Sequence, residues 1–160
     1  MRYQIRQRVF SLRDSFTIKD EYGTDRFEVQ GKLFSFGNKL RIYSMSGEEL
    51  VYIEQEVFHL LPRYNIYLRN SYAASVKKEF TFFKPRFYIE SSMGNYEVEG
   101  DIFSHEFQIL KDGREAAYVS KKWFSFSDSY GAEIVDTENQ EFMLAMVIVI
   151  DMVLHNDKNN

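Results

Sequence analysis

The side chains that carry most enzyme chemistry are sparse in this chain and lie far apart. There is no cysteine, and the three histidines, His59, His105 and His155, fall in three separate regions. Thiolate nucleophiles, disulfides and thiolate metal sites are therefore excluded. His105-Glu106 has no second histidine four residues on, so the helical zinc-protease pattern fails. Without sulfur ligands, a metal would need carboxylates that no spacing in the sequence supplies. The expectation is solvated or turn histidines and no metal. Ser125, Ser127 and Ser129 alternate beside Asp128, but a G-x-S-x-G nucleophile turn is missing, so they read as a polar strand and turn. The eight glycines form neither G-x-G-x-x-G nor a Walker loop, so no nucleotide cofactor is expected. The reading is no catalytic residue, no cofactor and no metal.

Two polar features remain. Asp151 interrupts the apolar run from Phe142 to Leu154, and an unpaired carboxylate is costly inside a protein. It reads as a buried polar helix residue near one mouth of the fold, solvated or bonded to strand backbone or to a Lys or Arg. His155, one helical turn on, shares its face and could pair with it. A perturbed acid with a functional role is the alternative. The second feature is a set of basic pairs: Arg6 with Arg8 on one strand face, Lys77-Lys78, Lys84 near Arg86, and Lys121-Lys122. Brought together, Arg6, Arg8, Lys77, Lys78, Lys121 and Lys122 would suit phosphate groups of lipid headgroups, each charge contributing about 1 kcal/mol near an anionic surface. Left scattered, they are ordinary solvated strand residues. The formal charge of −4 counts against nucleic acid as the partner.

The elements that must position these residues are mostly strands. Phe27, Val29, Gly31 and Leu33 alternate with Glu28, Gln30 and Lys32; Tyr96, Val98, Gly100 and Ile102 alternate with Glu97, Glu99 and Asp101. Turn residues separate such runs, as at Gly37-Asn38, Ser46-Gly47, Gly94-Asn95 and Asp112-Gly113. About twelve strands follow, near 2–9, 14–20, 26–35, 39–45, 50–58, 64–70, 72–79, 85–91, 96–103, 106–112, 115–122 and 130–136. The sequence from Phe142 to Leu154, FMLAMVIVIDMVL, predicts a helix over about 138–155, started by a Thr137/Gln140 capping box. It is shorter than the roughly 20 residues a bilayer needs, so no transmembrane segment is expected. Being apolar on every face, it must be enclosed by protein.

An internal repeat indicates what encloses it. FTIKDEYGTDRFEVQGKLF at 16–34 matches FYIESSMGNYEVEGDIF at 87–103, and the register continues through Gly47 and Gly113 and through Tyr64 and Tyr130. Arg6 and Lys77 occupy equivalent places in it. Two half-barrels, about 2–70 and 72–136, would close into one antiparallel barrel, which removes exposed edges. A barrel of about twelve strands is wider than its own side chains fill. The helix would occupy the remainder, with 15 Phe and 11 Tyr as bulky packing. The expected fold is mainly β, a single domain over 1–160.

The residues also carry a family resemblance. FTIKDEYG, GKLFSFGNKLRIYSMSGEELVYIEQ and PRYNIYL in the first half, with GDIFSHEFQILKDGREAAYVSKKWFSFSDSYGAEI and FMLAMVIVIDMVLHND in the second, resemble the LURP-one-related family in order and over nearly the whole chain. The resemblance implies a tubby-like fold: a twelve-stranded barrel around a hydrophobic C-terminal helix, with kinship to tubby C-terminal domains and phospholipid scramblases. It implies no established biochemical activity. Tubby domains bind phosphoinositides, but no basic motif here aligns residue by residue with such a site.

With 44% hydrophobic and 28% charged residues, the chain is neither a disordered tail nor an integral membrane protein. The N-terminal stretch contains arginines but no apolar run, and cysteine is absent. These point to a cytoplasmic protein, at most peripheral to a membrane. The expected function is a non-enzymatic binding or tethering module, contacting anionic phospholipid headgroups or an unidentified protein through its exterior. The alternatives are a small-ligand carrier or enzyme, and an oligomeric interaction protein using aromatics such as Phe82-Phe83.

Overall fold

Period-two alternation becomes a wall with one dry face. In RYNIYL, Tyr64 and Ile66 are buried while Arg63 and Asn65 turn outward; in KLRIYS, Leu40 and Ile42 do the same between Lys39 and Arg41. The computed structural model describes residues 1–6, 15–32, 37–79, 81–82, 84–124 and 128–158, with side chains through Leu154. Its strands are β1 Arg2–Arg6, β2 Ser15–Asp20, β3 Asp25–Lys32, β4 Lys39–Ser44, β5 Glu49–Gln55 and β6 Arg63–Leu68, followed by β7 Ser71–Glu79, β8 Arg86–Ser91, β9 Gly94–Asp101, β10 Glu106–Lys111, β11 Arg114–Ser120 and β12 Ser129–Ile134. Each strand pairs antiparallel with its chain neighbours, and β1 pairs with β12 from Arg2↔Glu133 to Arg6↔Ser129. The result is the expected closed barrel of twelve strands.

The helix α1, Gln140–Lys158, is roughly 28 Å long. Every residue from Phe142 to Leu154 is buried. A helix buried on all faces within one chain must run through the barrel, where it meets β5, β6 and β12. Wall residues Ile5, Ile18, Val29, Ile53, Ile89 and Ile109 complete this core.

The two ends of the barrel are built differently. At the end where α1 begins, the strands are joined by tight turns. Arg69 and Asn70 have φ of 46° and 68°, and Asp112 and Gly113 have 49° and 81°, the left-handed pairs of type I′ hairpins. Beside four of these turns the register shifts, at Ile18/Lys19, Ile42/Tyr43, Ile66/Tyr67 and Ile109/Leu110. Such bulges increase local twist and help a sheet curve into closure. At the opposite end, β5–β6, β7–β8 and β11–β12 are joined by longer connections, and β9–β10 by the turn Ile102–His105. There Gly100, at φ 123°, lies so close to β10 that a Cβ would sit 2.8 Å from the Glu106 carbonyl oxygen and 2.9 Å from Phe107 Cα.

Three local expectations change. β5 stops at Gln55 rather than 58: Phe58 is left-handed at φ 68° and fully out of the wall. β11 stops at Ser120, so Lys121 and Lys122 lie beyond the strand. The helix is capped by Asn139 instead of Thr137, because Asn139 Oδ1 accepts from the Phe142 amide at 2.9 Å. Gln140 turns back to donate to the Val135 and Glu138 carbonyls.

Met146 is wholly buried and Leu60 wholly exposed. Met146→Asp is expected to abolish cooperative folding, since it buries an unpaired carboxylate on the barrel axis. Leu60→Asp is expected to shift stability by less than about 0.5 kcal/mol. Thermal circular dichroism of the two variants checks both.

Candidate functional site

At the end where the helix begins, polar groups bind wall and helix together. Tyr3 donates to Gln140 Oε1 at 3.0 Å, Tyr96 donates to Glu138 Oε2 at 2.7 Å, and Lys111 Nζ lies 3.4 Å from Glu138 Oε1. Burial raises the Tyr96 phenol above its ordinary pKa, and the bonded Glu138 carboxylate adds to the shift. Burial also pushes Tyr64 up to about 12, against the bond it accepts from Asn38 Nδ2 at 3.1 Å. Tyr3 and Tyr96 hold wall and helix together.

Toward the other end of the barrel lies a buried polar pair, one member of which is Asp151, the polar helix residue indicated by the sequence. Asp151 is buried rather than solvated, and among the described residues its hydrogen-bond partner is a histidine instead of a Lys or Arg. Its Oδ1 lies 2.7 Å from His105 Nε2, with both side chains almost fully buried. The bond joins a ring nitrogen to a carboxylate oxygen, with one proton between them. His105 is thus a buried turn residue rather than a solvated one, held at φ 53° by the turn before β10. Its ring lies over Tyr130, centroids 4.7 Å apart. Burial first, and the Asp151 charge second, hold the Tyr130 phenol well above its ordinary pKa, although no hydrogen bond of normal geometry joins the two. The helical neighbour expected to pair with Asp151, His155, has its side chain outside the described residues. No third His, Asp or Glu joins His105 and Asp151 among the described residues. His59 is half-exposed beside Glu56 at 2.8 Å.

The basic residues separate into two groups on opposite sides of the barrel. Arg6 ends β1 opposite Ser129, and the β11–β12 connection brings Lys121 and Lys122 to the same side. The Lys121 amide donates to Glu106 Oε1 and the Lys122 amide to Ser120 Oγ, which fixes the start of that connection. β7 stands half the barrel away. There Lys77 lies 3.9 Å from Glu90, on the wall rather than at its end, while Lys78 lines a groove with Lys84, Phe82 and Phe103. Arg86 is 3.4 Å from Glu79. Arg8, Ser125, Ser127 and Phe83 lie outside the described residues. An open groove of about 760 Å³ runs from Phe82, Lys84 and Arg86 to Glu97, Glu99 and Ile102.

The LURP-one-related family model matches residues 1–151. The chain belongs to the LURP-one-related family. An uncharacterized protein from Bacillus subtilis, YxjI, is 40% identical over 155 residues, spanning 97% of this chain and 94% of its own. The X-ray structure of an Arabidopsis thaliana protein superposes with a TM-score of 0.64 at 15% identity, covering 95% of this chain and 91% of that one. That likeness is one of fold, the tubby-like barrel with its C-terminal helix. No helix among the described residues is long and apolar enough to cross a membrane.

Sequence reasoning named Phe82 among the exposed aromatics but missed Phe58, Leu60 and Phe103 on the longer connections. Phe58 and Leu60 are essentially fully exposed, Phe82 is 87% exposed and Phe103 46%. Phe58 continued the alternation of β5 and so passed for wall; Pro62 and His59 nearby were the available signs of a loop. His105 and Asp151 belong to distant parts of the chain, and no local pattern links them.

Two measurements follow from this geometry. His105→Leu, which strands the buried carboxylate, is expected to cost about 3–5 kcal/mol. Adding Asp151→Leu should restore part of that loss, and urea denaturation of both singles and the double reads the coupling; effects additive within about 0.5 kcal/mol would contradict a direct pair. The raised phenols act in alkali. The unfolded chain gives up these protons from pH 10, whereas folded Tyr64 holds its own to about 12. Their stabilising effect is therefore complete below pH 10 and is lost as pH rises from there. Phenolate absorbance of the buried tyrosines should appear together with loss of circular dichroism, not before it.

Proposed function

We propose that the protein is a non-enzymatic binding module whose partner is an anionic membrane surface, met from the cytoplasmic side by the barrel end opposite the start of α1. The observation that carries this reading is the partition of charge along the barrel. The connections at the helix-start end supply Glu21, Glu48, Asp112, Asp136 and Glu138 against Arg69. Those described at the other end supply Lys84, Lys121 and Lys122 against Glu56 and Asp128, and Arg6, Lys32, Lys39, Arg63 and Arg86 stand at the strand ends there against Glu79, Asp101 and Glu106, whereas the strand ends at the helix-start end balance, Arg2, Lys111 and Arg114 against Asp20, Asp25 and Glu49. A protein of net charge −4 thus presents a basic end, and an anionic surface attracts that end while repelling the other.

The interior supports binding by the exterior. α1 occupies the axis where a barrel carrier would hold its ligand. The pair His105–Asp151 is almost fully buried, which supports a structural role for it.

Co-sedimentation with phosphatidylserine-containing vesicles, against pure phosphatidylcholine vesicles, tests the reading. Binding is expected to the anionic vesicles alone and to fall as salt rises. Replacing Lys121 and Lys122 by Gln should remove about 2 kcal/mol, some thirtyfold in partition. Equal and salt-independent behaviour toward both vesicle types would refute it.

A further inference from the structure

We propose that docking is end-on and hydrophobic as well as electrostatic: the connection tips carrying Phe58, Leu60, Phe82 and Phe103 enter the interfacial layer of an anionic bilayer while Lys78, Lys84 and Lys122 meet its headgroups. This rests on the membrane reading above and adds the depth and orientation of the contact. A single exposed apolar side chain needs no explanation. Here the tips of β5–β6, β7–β8 and β9–β10, three successive connections on one end, all present such residues to water, with Phe58 at 99%, Leu60 at 100% and Phe82 at 87% exposure. Phe82 and Phe103 line one groove together with Leu61, Lys78 and Lys84. At the helix-start end the exposed large residues are Met1, Tyr22, Met45 and Tyr72, of which two carry hydroxyls.

Charge complementarity selects the occupant. Lysine is depleted from protein–protein interfaces, because its strongly hydrated ammonium resists full burial. On an anionic bilayer the same side chain keeps its charge among the headgroups while its stem lies along apolar surface. Fully exposed Phe58 and Leu60 project from the barrel instead of forming a flat, packed face, as a penetrating tip requires. The acidic helix-start end is held away by the same surface potential, which sets α1 steeply to the bilayer plane.

The chain lacks cysteine, so one introduced cysteine can be labelled cleanly. An environment-sensitive fluorophore is placed at Leu60→Cys on the docking end, at Thr17→Cys on the barrel side and at Tyr22→Cys on the far end. With phosphatidylserine-containing vesicles, the label at 60 should shift to the blue and be quenched by brominated acyl chains, whereas labels at 17 and 22 remain in water. Leu60→Ser with Phe82→Ser should lower partition at least about tenfold without loss of folding, and Tyr22→Ser should leave it unchanged. Vesicle binding with the label at 60 still in water would overturn end-on insertion and leave the electrostatic reading standing. Absence of vesicle binding would overturn both, as would light scattering that shows a dimer together with a label at 60 shielded from an aqueous quencher before vesicles are added.

Discussion

The structure depends on enclosing a helix that has no polar face. From Phe142 to Leu154 the chain offers water one carboxylate and otherwise only apolar surface, and such a helix is stable only with protein on every side. A twelve-stranded wall has the converse difficulty, since its interior is too wide for its own side chains to fill. Each solves the other's problem, and neither is a plausible fold alone. Closure then requires curvature, which the bulges beside the tight turns supply. The helix must also enter at a defined place: Asn139 caps its first turn, and Tyr3 and Tyr96 bond Gln140 and Glu138 to the rim.

Apolar packing alone is a weak guide to helix depth, because Val, Ile, Leu and Met replace one another at modest cost. Asp151 makes depth specific. At its actual height the carboxylate meets His105, whose position is set by the turn joining β9 to β10. A slip of one helical turn would leave that charge unpaired among apolar side chains, an expense well above that of repacking methyl groups. The pair also ties the far half of α1 to the turn that carries Phe103, so the core and the basic end are mechanically continuous.

The contrast between the two ends follows from this architecture. One end is closed by hairpins that hold the rim and the helix cap, leaving few residues free for another task. The other carries the longer connections, which the wall does not constrain and which can display lysines and apolar tips without disturbing the core. Charge follows the same division. A net acidic protein can in this way offer a basic face, which its total charge conceals.

Barrel, strand count and helix were legible in the sequence because period-two alternation and an all-apolar segment are local consequences of burial. Tyr64 and Ile66, Leu40 and Ile42, and the run from Phe142 can each be read without knowing what they touch. The cap moved by two residues because the chain reverses where Gln140 can reach the Val135 carbonyl, a matter of three-dimensional path. Phe58 looked like wall because alternation does not reveal where a left-handed residue ends the strand. The partner of Asp151, and the gathering of Lys78, Lys84, Phe82 and Phe103 at one groove, were decided only by tertiary structure. Such contacts join segments far apart in sequence, and a linear pattern records which residues prefer burial but not which distant residue arrives to meet them.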